Sequence, residues 1–517
     1  MGEGSFGSTT GRAARVAFAT GGDAARPFGG RALIGFACAL ALYAFARLWH
    51  LSSASLDTDE VFALLAVRRG WPDFLDPVAA AAHPPLFYVL LKAWVALGGE
   101  SRLWLRLLPA LASVSSVVPF ALLCRRLNVR PAAANVALAL LAVNSFLVAQ
   151  AQRARMYGLL ELFALASLWL FVKFVNEDDA RARNLLALTV VNVLLVYTHY
   201  FGGLLVGVEL LFLLAWARGR VAAFAVSLAA LAACLAPWAV WAARASVERA
   251  AWREDVGWVV RPSLSNLVLH YATLNGLFRF RWNVWLGAFV FVAPLALLAW
   301  RVFRADAHDG RARGDRSGTS ERAALALLVL AAFAPALVVF AASRALPFSF
   351  WITRYVIFTA APYLLLVAVA ASRLRPRALR AAALAAMLVW AGASGVSYLS
   401  ASERRVSWEE LARRVRQAEQ SSEGGVRIYA VGYNTSAPLA FHLGEARDAR
   451  FDVVRVRRAD LASVEGRHFW VAYRPVAGVG ATPRDTLAAR GFRLGEEISS
   501  AGVAEEVRLL PVWREEE

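Results

Sequence analysis

Long apolar runs separated by short arginine-bearing loops recur from Ala32 to Leu399, whereas from Glu403 to Glu517 charges return every few residues. A helix needs about 17–25 apolar residues to cross the hydrocarbon core of a bilayer. Runs of that kind fall near 32–50, 105–124, 132–150, 158–175, 185–198, 201–217, 221–243, 284–303, 323–343, 355–372 and 379–399. The pattern predicts a polytopic α-helical membrane protein with roughly eleven spanning helices. The run 84–98 is shorter. It opens at Pro84-Pro85 and closes at Gly98-Gly99, which suits an interfacial or re-entrant helix better than a span. Beyond the last run, an amphipathic stretch over Trp408–Ala418 and β-like runs at Val426–Val431, Phe451–Val456 and His468–Ala472 predict a small α/β domain.

Arginine placement orients the spans, because clusters of basic residues favour the cytoplasmic side. With 84–98 left non-spanning, the inside segments hold Arg12, Arg15, Arg26 and Arg31, then Arg125, Arg126 and Arg130, then Arg181 and Arg183, then Arg218 and Arg220. The 301–322 loop and the Arg373–Arg380 cluster continue the alternation. The outer face then receives the loop 51–104, the turn 151–157, the loop 244–283, the turn 344–354 and the C-terminal region. The expected division is a cytoplasmic tail over 1–30, a transmembrane domain over 31–400 and an extracytoplasmic α/β domain over 403–517. The tail lacks a compact apolar core before a cleavage site, so it reads as leading into an uncleaved first helix of an inner- or plasma-membrane protein.

Composition agrees with the bilayer as main solvent: 59% of the 517 residues are hydrophobic and 18% charged. The net charge of +18 would suggest nucleic acid in a soluble protein, but the arginines lie mostly in short loops and act as topology signals. No nucleic-acid partner is implied. Cys38, Cys124 and Cys234 lie in apolar segments without metal-knuckle spacing, so no disulfide framework is implied either.

The sharpest local signal follows the first run: Asp57-Thr58-Asp59-Glu60 puts three carboxylates within four residues at the outer membrane surface. A carboxylate at the edge of a low-dielectric region with a raised pKa would suit a general base acting on an acceptor hydroxyl. The alternative is an acidic loop capping a helix that starts at Val61. Next, Ala82-His83-Pro84-Pro85 forces an extended segment before an apolar helix and places His83 at the interface. His83 and His199 fall on the same predicted side, which is compatible with a divalent-cation site or with hydrogen-bonding anchors. The topology bias disfavours outer arginines, yet Arg102, Arg106, Arg153, Arg155 and Arg354 are predicted there, with Gln152 as a further donor. They suit a phosphate leaving group, or equally lipid head groups.

The order Asp59-Glu60, His83-Pro84-Pro85-Leu86, Arg106-Leu107-Leu108-Pro109 and Gln152-Arg153-Ala154-Arg155-Met156-Tyr157 resembles the GT-C superfamily. The nearest branch is the protein O-mannosyltransferase and aminoarabinose-transferase group, with bacterial Rgt-type enzymes. Thr198-His199-Tyr200-Phe201-Gly202 and Thr353-Arg354-Tyr355 resemble later signatures of that group. The likeness covers 30–400. It implies a glycosyltransferase, inverting at the anomeric carbon, that uses a polyprenyl-phosphate-linked sugar and a lipid, glycan or protein acceptor. By the resemblance Asp59 is the catalytic carboxylate with Glu60 beside it, and Arg106, Arg153, Arg155 and Arg354 contact the donor phosphate. Asp57, His83, Tyr157, His199 and Tyr355 line the groove. Tyr157 stands where several relatives carry an acidic residue.

Two other classes compete. A transporter or flippase of a lipid-linked intermediate would bury its polar residues near the midplane and show internal repeats, whereas here the notable charges gather on one face. A non-catalytic scaffold would leave the acidic loop dispensable.

Overall fold

Lipid offers the backbone no hydrogen-bond partner, so an apolar run can cross it only as helix. The computed structural model describes residues 30–248, 259–276, 284–308, 316–401, 406–420, 424–444, 450–475, 482–501 and 506–514, and the expected cytoplasmic tail lies outside them but for Gly30. In chain order the helices are α1 (Gly30–Leu48), α2 (Thr58–Arg68), α3 (Asp76–Ala80), α4 (Leu86–Gly98), α5 (Arg102–Ser115), α6 (Val117–Arg126), α7 (Pro131–Val143), α8 (Ser145–Ala151), α9 (Tyr157–Asn176) and α10 (Arg181–Thr198). They continue with α11 (Gly203–Trp216), α12 (Val221–Glu248), α13 (Leu264–Leu274), α14 (Val284–His308), α15 (Arg316–Ala345), α16 (Ala360–Ser372) and α17 (Arg377–Ala401).

Among the described residues seven helical stretches are long and apolar enough to cross a membrane, and an eighth if α7 and α8 are one bent span. The 65° bend between them falls at Asn144, whose side chain accepts from the Leu147 amide at 3.0 Å and donates to the Leu274 carbonyl at 2.8 Å. The other three expected spans fall on α10, α11 and α14, which are helical but shorter or less apolar. The run 84–98 is the 13-residue α4, too short to span, as expected. The chain is a multi-pass membrane protein. Val118, Val226, Phe289 and Val396 are each more than 60% exposed on the outside of the bundle, which lipid, unlike water, would solvate. At its centre α16 is buried on every side from Ala360 to Ala371.

Close packing depends on small residues. A Cβ on Gly158 would lie 2.1 Å from the Pro109 carbonyl oxygen, so the backbones of α5 and α9 touch there. At the α4–α5 turn, Trp94 and Trp104 stack at 4.3 Å, and each indole N–H donates to the other residue's carbonyl, at 2.8 and 2.7 Å.

The C-terminal region forms the expected α/β domain. Helix α18 (Trp408–Ala418) precedes β1 (Val426–Val431), α19 (Tyr433–Gly444), β2 (Phe451–Val456), β3 (His468–Tyr473), α20 (Pro483–Ala488), β4 (Phe492–Leu494), β5 (Ile498–Ala501) and β6 (Glu506–Arg514). The sheet order is β2-β1-β3-β6-β4, with β5 also on β6; the β1 pairings are parallel and those of β6 antiparallel. Period-two alternation sends Trp470 and Ala472 into a core with Trp408 and Leu411, and Phe469 and Val471 into one with Leu461 and Leu487.

Candidate active site

The acidic cluster is split by the start of α2. Asp57 is the N-cap: its carboxylate accepts from the Glu60 amide at 3.2 Å, and Glu60 in return accepts from the Asp57 amide at 3.2 Å. This capping box starts the helix at Thr58 rather than at Val61, the start expected from the apolar pattern. Glu60 is 1% exposed and receives a bidentate pair from Arg106, Nε to Oε1 and Nη2 to Oε2, both at 2.7 Å. It also accepts the Ala154 amide at 2.9 Å. The remaining donors of Arg106 go to the carbonyls of Leu51, Ala54 and Ser55 at 2.8, 2.9 and 3.0 Å. The expected roles of Glu60 in catalysis and of Arg106 on a phosphate therefore need revision, because both groups are consumed by the fold. Burial raises the Glu60 pKa, but Arg106 more than reverses this and holds it at about 2.

Asp59, one residue earlier, is left facing outward with its side chain 32% exposed. Three guanidinium groups surround it. Arg354, in the 3-10 turn Thr353–Thr359, lies 3.6 Å from Asp59 Oδ2. Arg155, in the turn between α8 and α9, directs Nη1 to the Asp59 carbonyl at 3.5 Å and to the Tyr88 hydroxyl at 3.1 Å. Arg153, in the same turn, pairs with Asp57 at 3.3 Å. Burial raises the pKa of Asp59, but Arg155, Arg354 and Arg153 together outweigh it and hold it at about 2. The raised pKa expected for a base is thus not the resting state. For Asp57 burial pushes the pKa up against Arg153, with Glu60 and Asp59 adding to the rise.

The arginines are only partly satisfied. Arg153, Arg155 and Arg354 each keep a buried Nε with no protein partner among the described residues. With three positive groups against Asp57 and Asp59, the cluster is short of one negative charge. Gln152 belongs elsewhere: its amide donates to the Ala46 and Trp49 carbonyls at 2.9 and 2.8 Å, which overturns its expected place beside the arginines. Arg102 likewise pairs with Glu409 at 2.9 Å.

Around this centre stand uncharged rings. His83 stacks near Tyr88 at 6.0 Å, and burial followed by Arg155 pushes its pKa down to about 3, so it is neutral at ordinary pH. His199 lies 6.2 Å from Tyr157 and 5.1 Å from Tyr355, ring to ring, with Nδ1 accepting from the Phe201 amide at 3.3 Å. All the groove residues expected from sequence thus converge. Tyr88 joins them unanticipated; its position five residues after His83 on the helix that Pro84-Pro85 opens was the available signal. Among the described residues no three His, Cys, Asp or Glu side chains gather as a metal cage, and the guanidinium cluster opposes a cation, so the residues present do not fit a divalent ion.

No family model and no curated protein matches this chain. Solved structures do. ArnT from Cupriavidus metallidurans bound to undecaprenyl phosphate is 15% identical, with 93% of this chain and 98% of that chain covered at a TM-score of 0.53, and the apo state matches equally. The Archaeoglobus fulgidus oligosaccharyltransferase tethered with an acceptor peptide matches 80% of this chain and 63% of that one, at 14% identity and a TM-score of 0.47. At such identity the likeness shows the fold alone: this chain shares the fold of ArnT.

Proposed function

We propose that this chain is a membrane glycosyltransferase that moves a sugar from a polyprenyl-phosphate donor to an acceptor hydroxyl on the outer face of the membrane. The observation that carries the reading is the set of incompletely satisfied guanidinium groups around Asp59, at a site short of one negative charge. Undecaprenyl phosphate in ArnT, a chain of the same fold, supports a lipid phosphate as that anion.

In this reading Arg155 and Arg354 hold the donor phosphate, with Arg153 beside them. The acceptor oxygen bonds to the anomeric carbon as the bond from that carbon to the phosphate oxygen breaks, in one displacement that inverts the centre. The acceptor proton passes to Asp59 and then to solvent, and polyprenyl phosphate leaves with its new charge met by the arginines. Asp59 at about 2 is a weak base in the empty site. A bound phosphate competes for the same guanidinium field, so donor binding itself restores basicity to Asp59. Glu60 and Arg106 are positioning residues: Glu60 joins α2 to α5 and, through the Ala154 amide, to the arginine turn. The neutral rings of His83, Tyr88, Tyr157, His199 and Tyr355 wall the sugar site.

The test is binding of a polyprenyl-phosphate sugar by purified protein in nanodiscs, followed by transfer. Arg155→Gln and Arg354→Gln should each weaken donor binding on the order of tenfold, the worth of one charge-assisted contact. Unchanged affinity in folded variants would assign the arginines to lipid head groups. Mass spectrometry of envelope glycolipids and glycans from a deletion strain would identify sugar and acceptor.

A further inference from the structure

The residues leading into Asp59 are held by the C-terminal domain. Ser55 Oγ donates to the Val406 carbonyl at 3.2 Å and accepts from the Trp408 amide at 3.1 Å. Thr58 Oγ1 donates to the Asn434 carbonyl at 3.1 Å, and that oxygen also takes Arg474 Nη2 at 2.9 Å. Between them, His442 of α19 is 3% exposed and places Nε2 3.2 Å from the Leu56 carbonyl. A carbonyl only accepts, so Nε2 carries the proton.

The peptide plane between Leu56 and Asp57 is thereby fixed at both ends. Its oxygen is held by His442 and its N–H by Glu60 Oε2. That plane sets the direction in which Asp57 enters α2 and so where Asp59 stands. We propose that the C-terminal domain is part of the reaction apparatus, and that His442 is a positioning residue that holds Asp59 in place through the Leu56 carbonyl. The proposal rests on the glycosyltransferase reading for its kinetic half only. Two features separate it from simple domain docking. His442 touches backbone at the segment that carries the acid, and the three contacts fall on residues 55, 56 and 58, directly before Asp59.

Two measurements on the full chain in nanodiscs test it: amide hydrogen exchange over residues 57–61, and steady-state transfer from a polyprenyl-phosphate sugar. His442→Leu should raise exchange over 57–61 while leaving the strands of the C-terminal sheet protected, and should lower kcat on the order of 10- to 100-fold with donor KM unchanged, as expected for a displaced reacting group. His442→Gln, which keeps a donor near the same place, should restore most of both. Thr58→Val removes the neighbouring contact without touching the domain's core and should shift both readouts the same way. Unchanged exchange over 57–61 in His442→Leu overturns the proposal whatever the activity. Raised exchange with wild-type kcat overturns its kinetic half. A wild-type protein that transfers no sugar, with exchange still raised in the variant, supports the holding of the loop and overturns the glycosyltransferase reading instead.

Discussion

At the scale of single residues, the site separates carboxylates that composition alone cannot. Asp57 caps a helix and pairs with Arg153, Glu60 is sealed against Arg106, and Asp59 faces Arg354 with Arg155 beside it. Asp59→Asn should therefore lose on the order of 10²–10⁴-fold in transfer rate, since the amide keeps size but cannot take a proton. Asp57→Asn should cost much less, because Asn also caps helices. Purified variants assayed for sugar transfer decide this, and an equal loss at Asp57 would leave the base unidentified. The pH dependence follows from the same fields. Asp59 is depressed from an ordinary 3.8 to about 2, so the stability it adds is complete above about pH 4 and fades as pH falls through 2. Asp59, Glu60 and His83 all titrate below this range while burial pushes Asp57 up from 3.8, so in Asp57→Asn kcat/KM should be flat from about pH 4 to about pH 8, and a limb near neutrality in that variant would assign the base elsewhere. Which residues gather at the candidate site was legible because charge is rare in an apolar chain and so conspicuous. Their pairing was not, since nothing local distinguishes Arg106, fully spent on Glu60 and three carbonyls, from Arg155, which keeps a free Nε.

At the scale of elements, the sequence pattern located helices well and their ends less well. Apolar length reports burial in lipid, but Asp57 starts α2 three residues before the apolar run, because capping hydrogen bonds rather than hydropathy set a helix terminus. Close approach was also hidden. Gly158 looks like any glycine, yet its Cα faces the Pro109 carbonyl, where an added methyl would sit 2.1 Å from oxygen. Gly158→Ala should thus lower stability by about 1–3 kcal/mol, read as a fall in Tm in detergent, and weaken activity by shifting the turn that bears Arg155. The Glu60–Arg106 pair makes a second prediction. Removing either partner leaves a buried charge, so Glu60→Ala and Arg106→Ala should each cost about 3–5 kcal/mol, while the double variant costs less than their sum. Additive losses in thermal unfolding would mean that the two groups act independently.

At the scale of the whole molecule, the relation between membrane domain and C-terminal domain was the least legible feature, because beside the Arg102–Glu409 pair the contacts that make it involve Ser55, Leu56 and Thr58, none of which carries a periodic or charged signal. Those contacts bear on topology independently of how many helices cross. Helices α10, α11 and α14 are shorter or less apolar than the other expected spans, but a domain that hydrogen-bonds to residues 55, 56 and 58 must lie on the same side as the loop 51–104. Helix α1 meets the length and hydropathy of a single span, and Arg125, Arg126 and Arg130 lie at the end of α6, a further crossing away, which the positive-inside bias would orient to the cytoplasm. We propose from that orientation that the loop 51–104 and the C-terminal domain share the extracytoplasmic face, where a lipid-linked sugar would meet its acceptor. A reporter active only outside the cytoplasm, fused after Glu517, should be active, and single cysteines at the exposed Trp71 and Tyr433 should both react with a membrane-impermeant thiol reagent in a background lacking Cys38, Cys124 and Cys234. A cysteine at Arg181, the first residue of α10, should react only after the membrane is opened. Labelling of the Trp71 and Tyr433 positions from opposite sides would contradict the interface itself, whereas both labelling from the cytoplasmic side would keep the interface and reverse the orientation read from the arginines.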